Sequence, residues 1–301
     1  YPLIWLLSML PMRILYILSD VIYVFVYYIF RYRREVVLKN LKIAFPHKSN
    51  LERNKISKYF FKHFTDSFVE TIKSITISEK EILKRYKYKN PEIVNDVLHR
   101  KNSIAFVSSH QANWEWFANL PLILNKKING TYKSLGNRYF DKIVKSSRER
   151  FGFVCYESSK TVKPIYKDYI NKIQGMYLLI SDQSPQLEHT QYWGDFFNTK
   201  VPFHIGAETL AKRFNLSVVF CATKKIKRGY YETNFTVITE EPDTMTDYEI
   251  TNKYIQLTEK LINEQPEYYL WSHNRFKHKD KFKQWKKLKD SKIKRKKKTN
   301  N

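Results

Sequence analysis

The chain has 301 residues, 43% of them hydrophobic, and a formal net charge of +25. That length and apolar content exclude a disordered chain and fit one large domain with appendages. The charge calls for an anionic partner, either nucleic acid, anionic lipid or an acidic carrier protein, while two cysteines, Cys155 and Cys221, exclude a disulfide framework and give no metal-ligand spacing.

Residues 1–30 are apolar and aromatic, interrupted by Pro11, Arg13 and Asp20. A clean span needs about 20 uninterrupted apolar residues, so the pattern predicts a helix lying in the membrane, dipping into it, or crossing it with a tilt. The Arg31-Tyr32-Arg33-Arg34 cluster then sits on the cytoplasmic side. No small-residue cleavage site follows the apolar run, so the start does not read as a signal peptide.

Residues 35–100 read as helical. Ile56, Phe60, Phe64, Phe68 and Ile72 form a four-residue stripe within a predicted helix over 52–74, and Asn90-Pro91 reads as the start of another helix. From residue 103 short buried strands alternate with helices. Strands are predicted at 103–109, 131–135, 153–156, 176–180, 217–223 and 231–239. Helices are predicted at 113–125, 140–150, 161–172, 205–214 and 246–264. The alternation predicts an α/β fold, a central mixed sheet with helices on both faces. The end, from Lys277, is a Lys-rich low-complexity tail.

The chemistry concentrates at Ser109-His110-Gln111-Ala112-Asn113-Trp114-Glu115, which starts at a predicted strand end, the edge where α/β sheets build sites. A carboxylate can fix an imidazole's tautomer and stabilise the imidazolium that forms, so His110 and Glu115 read as a base and its orienter. On one continuous helix, residues five apart lie about 140° from each other, so this pair needs a turn between strand and helix. Asn113 is a plausible cap for the helix that follows. Downstream, Asn137, Arg148 and Arg150 offer polar and guanidinium groups for a phosphate or an oxyanion. Asp182 and Gln183 lie at another strand end, where Asp182 could orient a basic group or the acceptor. Arg275 and Lys277, beside Trp271, read as a headgroup interface, and His273 as a structural hydrogen bonder.

In this order the motifs resemble the bacterial lipid A biosynthesis acyltransferase family, within the lysophospholipid acyltransferase-like group. The resemblance runs through Tyr32-Arg33-Arg34, Asn40-Leu41, Ala44-Phe45-Pro46, Glu70, His110 with Glu115, Asn137 to Asp141, Arg148 to Gly152, Asp182-Gln183-Ser184-Pro185, and Tyr269 to Lys277. It implies a glycerolipid acyltransferase-like fold in three parts: a membrane-associating helix over 1–34, an acyltransferase domain over 35–276 and a basic, flexible tail over 277–301. It also implies an enzyme at the cytoplasmic face of the inner membrane. The donor would be acyl-acyl carrier protein or acyl-CoA, and the acceptor a hydroxyl of a lipid A precursor, with no metal or other cofactor. His110 and Glu115 take the catalytic positions, and Arg148 and Arg150 the basic ones. Inside the motif, Gln111 to Trp114 differ from members acting on enterobacterial lipid A, which leaves a lysophospholipid, glycolipid or aminoacyl lipid as the alternative acceptor. Glycerophospholipid acyltransferases carry a Phe-Pro-Glu-Gly-type motif that this sequence lacks. No nucleophile elbow surrounds a Ser or Cys, so direct transfer is expected over an acyl-enzyme. A nucleic-acid binder is disfavoured because the sequence has no recognisable DNA- or RNA-binding motif.

Overall fold

The computed structural model describes residues 2–100, 102–132, 134, 136–287 and 289–290. The first part is helical: α1 (Pro2–Met9), α2 (Met12–Val24) running into a π-turn at Phe25–Ile29, α3 (Arg34–Ala44), α4 (Asn50–Lys73) and α5 (Glu79–Arg85). Strand β1 (Tyr86–Tyr88) and α6 (Glu92–His99) lead to β2 (Ser103–Val107). After a 3-10 turn at Trp116–Asn119 come α7 (Pro121–Leu124), β3 (Ile128–Tyr132), α8 (Arg138–Glu149), β4 (Phe153–Glu157), α9 (Val162–Ile170) and β5 (Met176–Leu178). A hairpin of β6 (Tyr192–Phe196) and β7 (Thr199–Phe203) precedes α10 (Gly206–Phe214), β8 (Leu216–Lys227), β9 (Tyr230–Thr239) and α11 (Glu249–Glu264).

Seven strands form one sheet in the order β1-β9-β8-β2-β5-β3-β4. All neighbours are parallel except β8 and β9, so the sheet is mixed, as the alternation predicts. Along β2 the side chains alternate between two cores: Ala105 and Val107 join one, Ile104 and Phe106 the other. Period-two alternation into two apolar clusters is what a sheet covered on both faces requires.

Several local expectations change. Tyr86–Tyr88 is a strand inside the segment read as helical, pairing in parallel with Tyr231–Thr233. Asn90 does not cap α6; its side chain bonds the backbone N–H and C=O of Phe235 on β9. The predicted helix over 113–125 is a turn, a 3-10 segment and the short α7 instead. The strand expected at 131–135 runs at Ile128–Tyr132; Lys133 and Leu135 lie outside the described residues.

The stripe on α4 is the most instructive change. A four-residue repeat drifts around a helix by about 40° per step, so the stripe does not stay on one face. Phe60 is buried while Phe68 is half exposed. The buried face carries Ser57, His63, Thr65, Asp66 and Glu70 among its apolar residues. Those polar groups are tolerable because they are bonded: Asp66 takes Arg228 and Ser19, and Glu70 takes Tyr16, Asn113 and Tyr231.

Met12–Ile29 is long and apolar enough to cross a membrane by length and composition, with 28% of it buried. Leu15 and Tyr27 point into the protein, whereas Ile14, Ile17, Val21 and Val24 lie exposed. At the other end, residues 282–287 are helical, and Phe282 and Trp285 pack on Trp193. That part of the expected tail is docked; residues 291–301 lie outside the described residues.

Helix α4 begins with a capping box. Ser49 Oγ accepts from Glu52 N at 3.2 Å, and Glu52 Oε2 accepts from Ser49 N at 2.7 Å. Ser49→Ala should therefore cost about 1 kcal/mol of stability, read as a shift in the denaturant midpoint at unchanged slope; an unshifted midpoint would show the box to be idle.

Candidate active site

Strands β2 and β5 are parallel neighbours, with Ile104 opposite Met176 and Phe106 opposite Leu178. Leu179 N donates to Phe106 O at 2.8 Å, extending the pairing past the strand end. The chain then turns at both ends, and the next side chains to meet across the edge are His110 and Asp182. His110 Nδ1 lies 2.7 Å from Asp182 Oδ1, and His110 N donates to Asp182 Oδ2 at 3.0 Å. Asp182 thus holds the ring and the backbone of one residue together.

This corrects the expected pairing of His110 with Glu115. Between them the turn puts Ala112 at φ 53, and the Glu115 carboxylate meets Arg148 from α8. Arg148 Nε and Nη2 each donate to Glu115 at 2.7 Å, a two-pronged fork, and Trp114 Nε1 donates to Glu115 Oε1 at 3.1 Å. The imidazole is left to the second carboxylate, one strand over.

The electrostatics follow from these contacts. Burial disfavours a charged His110, but the Asp182 carboxylate outweighs it, with Glu115 adding to the effect, and raises its pKa above the ordinary value. Burial disfavours charge on Asp182 and Glu115 as well. His110 overrides this at Asp182, and Arg148 overrides it at Glu115, so both carboxyls sit below their ordinary range. Because an ionised Asp182 can only accept, Nδ1 carries the proton whenever the ring is neutral, and the lone pair is then on Nε2. Gln183 Nε2 lies 3.4 Å from that lone pair. The His110 side chain is 21% exposed.

The family model for bacterial lipid A biosynthesis acyltransferases matches residues 2–278. The chain belongs to that family. Among curated relatives, it is 26% identical over 164 residues to lipid A biosynthesis acyltransferase 2 of Shigella flexneri, covering 53% of this chain and 50% of that one. It is 25% identical over 170 residues to the lipid A biosynthesis myristoyltransferase of Escherichia coli strain K12, covering 55% of this chain and 50% of that one. The chain spans about half the length of the curated relatives it matches.

Not all of the residues singled out in this family member come together. Asn137 is exposed at the head of α8, where its Oδ1 accepts from Tyr139 N at 3.0 Å. Arg150 donates to Ser74 O at 3.2 Å. Arg275 is fully buried, which corrects its reading as a headgroup contact. Its guanidinium lies over the rings of Phe203 and Phe196, 4.1 and 5.2 Å from their centroids. Stacking on aromatic faces is what admits a guanidinium to such a place. From there its charge helps to keep Asp182 ionised. His273 is a structural acceptor: its Nε2 takes Ser184 N at 2.9 Å, and burial pushes its pKa down to about 4.

The turn is held from behind by groups that the sequence gave little reason to place there. Tyr268 O accepts from Ala112 N at 2.9 Å, and Leu270 N donates to His110 O at 3.0 Å, so the last motif runs alongside the one that carries His110. His63 Nε2 lies 3.0 Å from Ala112 O, while its Nδ1 faces Lys225 Nζ at 3.2 Å. A carbonyl only accepts and an ammonium only donates, so His63 is the neutral tautomer protonated on Nε2. Asn113 is not the cap expected of it, since the 3-10 segment starts after Glu115; its Oδ1 instead accepts from Trp116 N at 2.8 Å and ties the turn across itself.

Replacing Asp182 by Asn removes the charge that outweighs burial. The His110 ring, followed by NMR titration, should then move from a midpoint above about 6.5 to one below it. An unmoved midpoint would mean that Asp182 does not set the imidazole's proton affinity.

Proposed function

We propose that this protein transfers a fatty acyl chain from an acyl carrier protein thioester to a hydroxyl of a lipid A precursor, at the cytoplasmic face of the inner membrane. The observation that carries the reading is His110, a partly exposed side chain with Nδ1 tied to Asp182 at 2.7 Å. That is a general base with its tautomer fixed. The names of the curated relatives, a lipid A acyltransferase and a myristoyltransferase, support acyl transfer to lipid A. The net charge of +25 supports an acidic carrier protein and phosphorylated lipid as partners. Exposed Leu3, Trp5, Leu6, Ile14, Ile17 and Phe30 support contact with a membrane surface.

In the proposed reaction the acceptor hydroxyl displaces Gln183 and gives its proton to His110 Nε2. The alkoxide oxygen attacks the thioester carbonyl, forming a C–O bond and a tetrahedral oxyanion. The C–S bond then breaks, and the imidazolium returns its proton to the leaving thiolate. The products are an ester and the free carrier thiol. Glu115 takes a different part from the one expected of it. It holds Arg148 by Nε and Nη2, which leaves the Nη1 donors for the oxyanion. Four of the turn's own amides are poor candidates for that task. Those of His110, Gln111, Ala112 and Trp116 already donate within the protein. Next to Arg148, Ser147 lines a cavity of about 160 Å³ shared with Ile4, Trp5, Ile75, Ile143, Ser146 and Arg150, a mostly apolar space with a guanidinium in its wall that could take part of an acyl chain.

The test incubates purified protein with acyl carrier thioesters and a lipid A precursor and reads the products by mass spectrometry. His110→Ala should cut transfer by about two to four orders of magnitude, and near-normal turnover by that variant would end the proposal. Since the base must be neutral, the rate should climb as pH rises through the raised His110 pKa, above about 6.5. Acylation of a lysophospholipid or glycolipid but not of the precursor would overturn the acceptor assignment alone.

A further inference from the structure

Glu70 on α4 is wholly buried and lies directly beneath the catalytic turn. Its Oε2 accepts from Asn113 Nδ2 at 2.6 Å and from Tyr231 OH at 2.7 Å, and its Oε1 accepts from Tyr16 OH at 2.8 Å. These donors come from the turn, from β9 and from α2. Its backbone O also accepts from Trp116 Nε1 at 3.1 Å, at the far end of the same turn. A site with three donors converging on one side chain fits a group that only accepts, and an ionised carboxylate is that group. Burial pushes the Glu70 pKa up to about 7, with Lys225 opposing and Asp66 reinforcing. An apolar residue would avoid that cost, so the carboxylate calls for an explanation in what it holds.

Asn113 sits midway between His110 and Trp116 and uses both ends of its amide: Nδ2 on Glu70 and Oδ1 on Trp116 N. Glu70 therefore fixes the middle of the segment that carries the base and the carboxylate holding Arg148. Tyr16 ties the same carboxylate to α2. Near it, Ser19 donates to Asp66 at 2.8 Å, and Arg228 bridges Asp66 and Asp20. Another side of α2 exposes Ile14, Ile17, Val21 and Val24.

We propose that Glu70 is a positioning residue for the catalytic turn, and that through Tyr16 it makes the seating of the N-terminal helix α2 a condition for an assembled site. This rests on the acyl-transfer reading. Glu70 touches no reacting atom; it acts through Asn113.

The decisive variant is Glu70→Gln in the full chain, which keeps the shape but sets an amide donor against the incoming donors. Its kcat should fall about 10- to 100-fold while KM for donor and acceptor stays within about two-fold, the signature of a misplaced but intact site. Hydrogen exchange in residues 110–117 should quicken about tenfold, with β2 and β8 unchanged. Adding Asn113→Asp reverses the polarity of the bond, so the double variant should recover kcat to within about five-fold of the original. A normal kcat in Glu70→Gln, or a loss that the double variant does not recover, would overturn the proposal. If Glu70→Gln does not fold, Tyr16→Phe, which deletes one hydroxyl, carries the test. A loss of about three- to ten-fold in kcat at unchanged KM supports the tie, and an unchanged kcat overturns it. If the unaltered protein transfers no acyl group, the functional reading fails, and the exchange comparison alone decides the role of Glu70.

Discussion

The hydrogen bond between His110 and Asp182 depends on two parallel strands lying side by side in one register. From Val107, three residues reach His110; from Leu178, four reach Asp182. A slip of one residue would shift one strand by about 3.3 Å and turn its side chains to the other face. A contact of 2.7 Å does not survive that. Strand β2 is pinned on both sides, by β5 and by β8, and Ile104 to Val107 are buried in two cores at once. The sheet thus sets a strand held on both sides under the residue that the proposed reaction uses as its base.

Two carboxylates stand near one imidazole, and the structure divides their work. Asp182 serves the ring; Glu115 serves a guanidinium. Buried charges are tolerated only when paired, and the pairing here extends over the group as a whole. Asp182 and Glu115 carry two negative charges and Arg148 and Arg275 two positive ones, and His110 is neutral in the state in which it can act as a base. In the proposed reaction the imidazolium and the oxyanion form together, so the sum does not change as the barrier is crossed. A site whose net charge stays constant requires little reorganisation of its surroundings at that moment. This gives the buried Arg275 a reason that its reading as a surface group did not: without it the resting group would carry an uncompensated negative charge.

Local pattern made much of this legible. The buried runs at 103–109 and 176–180 read as strands, which the fold has at Ser103–Val107 and Met176–Leu178; their ends read as the site edge, and His110 and Asp182 were both singled out there. What local pattern could not reveal was which carboxylate meets the ring. That contact joins residues 72 apart in sequence and is decided by strand neighbours, which no spacing reports. Glu115 was the nearer choice in sequence and the wrong partner in space. The strand at Tyr86–Tyr88 escaped because three residues carry too little periodicity to stand out from the helices around them. The stripe on α4 misled for a geometric reason, since spacing by fours walks around the helix. The face that matters there is marked by Asp66 and Glu70, polar residues that a search for apolar periodicity passes over.

The polar interruptions of the N-terminal segment are part of the same design. In the sequence, Asp20 counts against a clean span. In the fold it takes Arg228, which also takes Asp66, while Tyr16 one turn earlier takes Glu70. Removing Tyr16 would leave buried Glu70 one donor short, and removing Ser19 would do the same to buried Asp66. The segment is therefore a compromise between two solvents. One side is apolar enough to meet lipid; the other is polar enough to satisfy carboxylates beneath the catalytic turn. A plain hydrophobic anchor could hold the protein at a membrane, but it could not complete this hydrogen-bond network. The interruptions tie the helix to the chain that follows it, through Glu70 and Asp66 on α4 and Arg228 between β8 and β9.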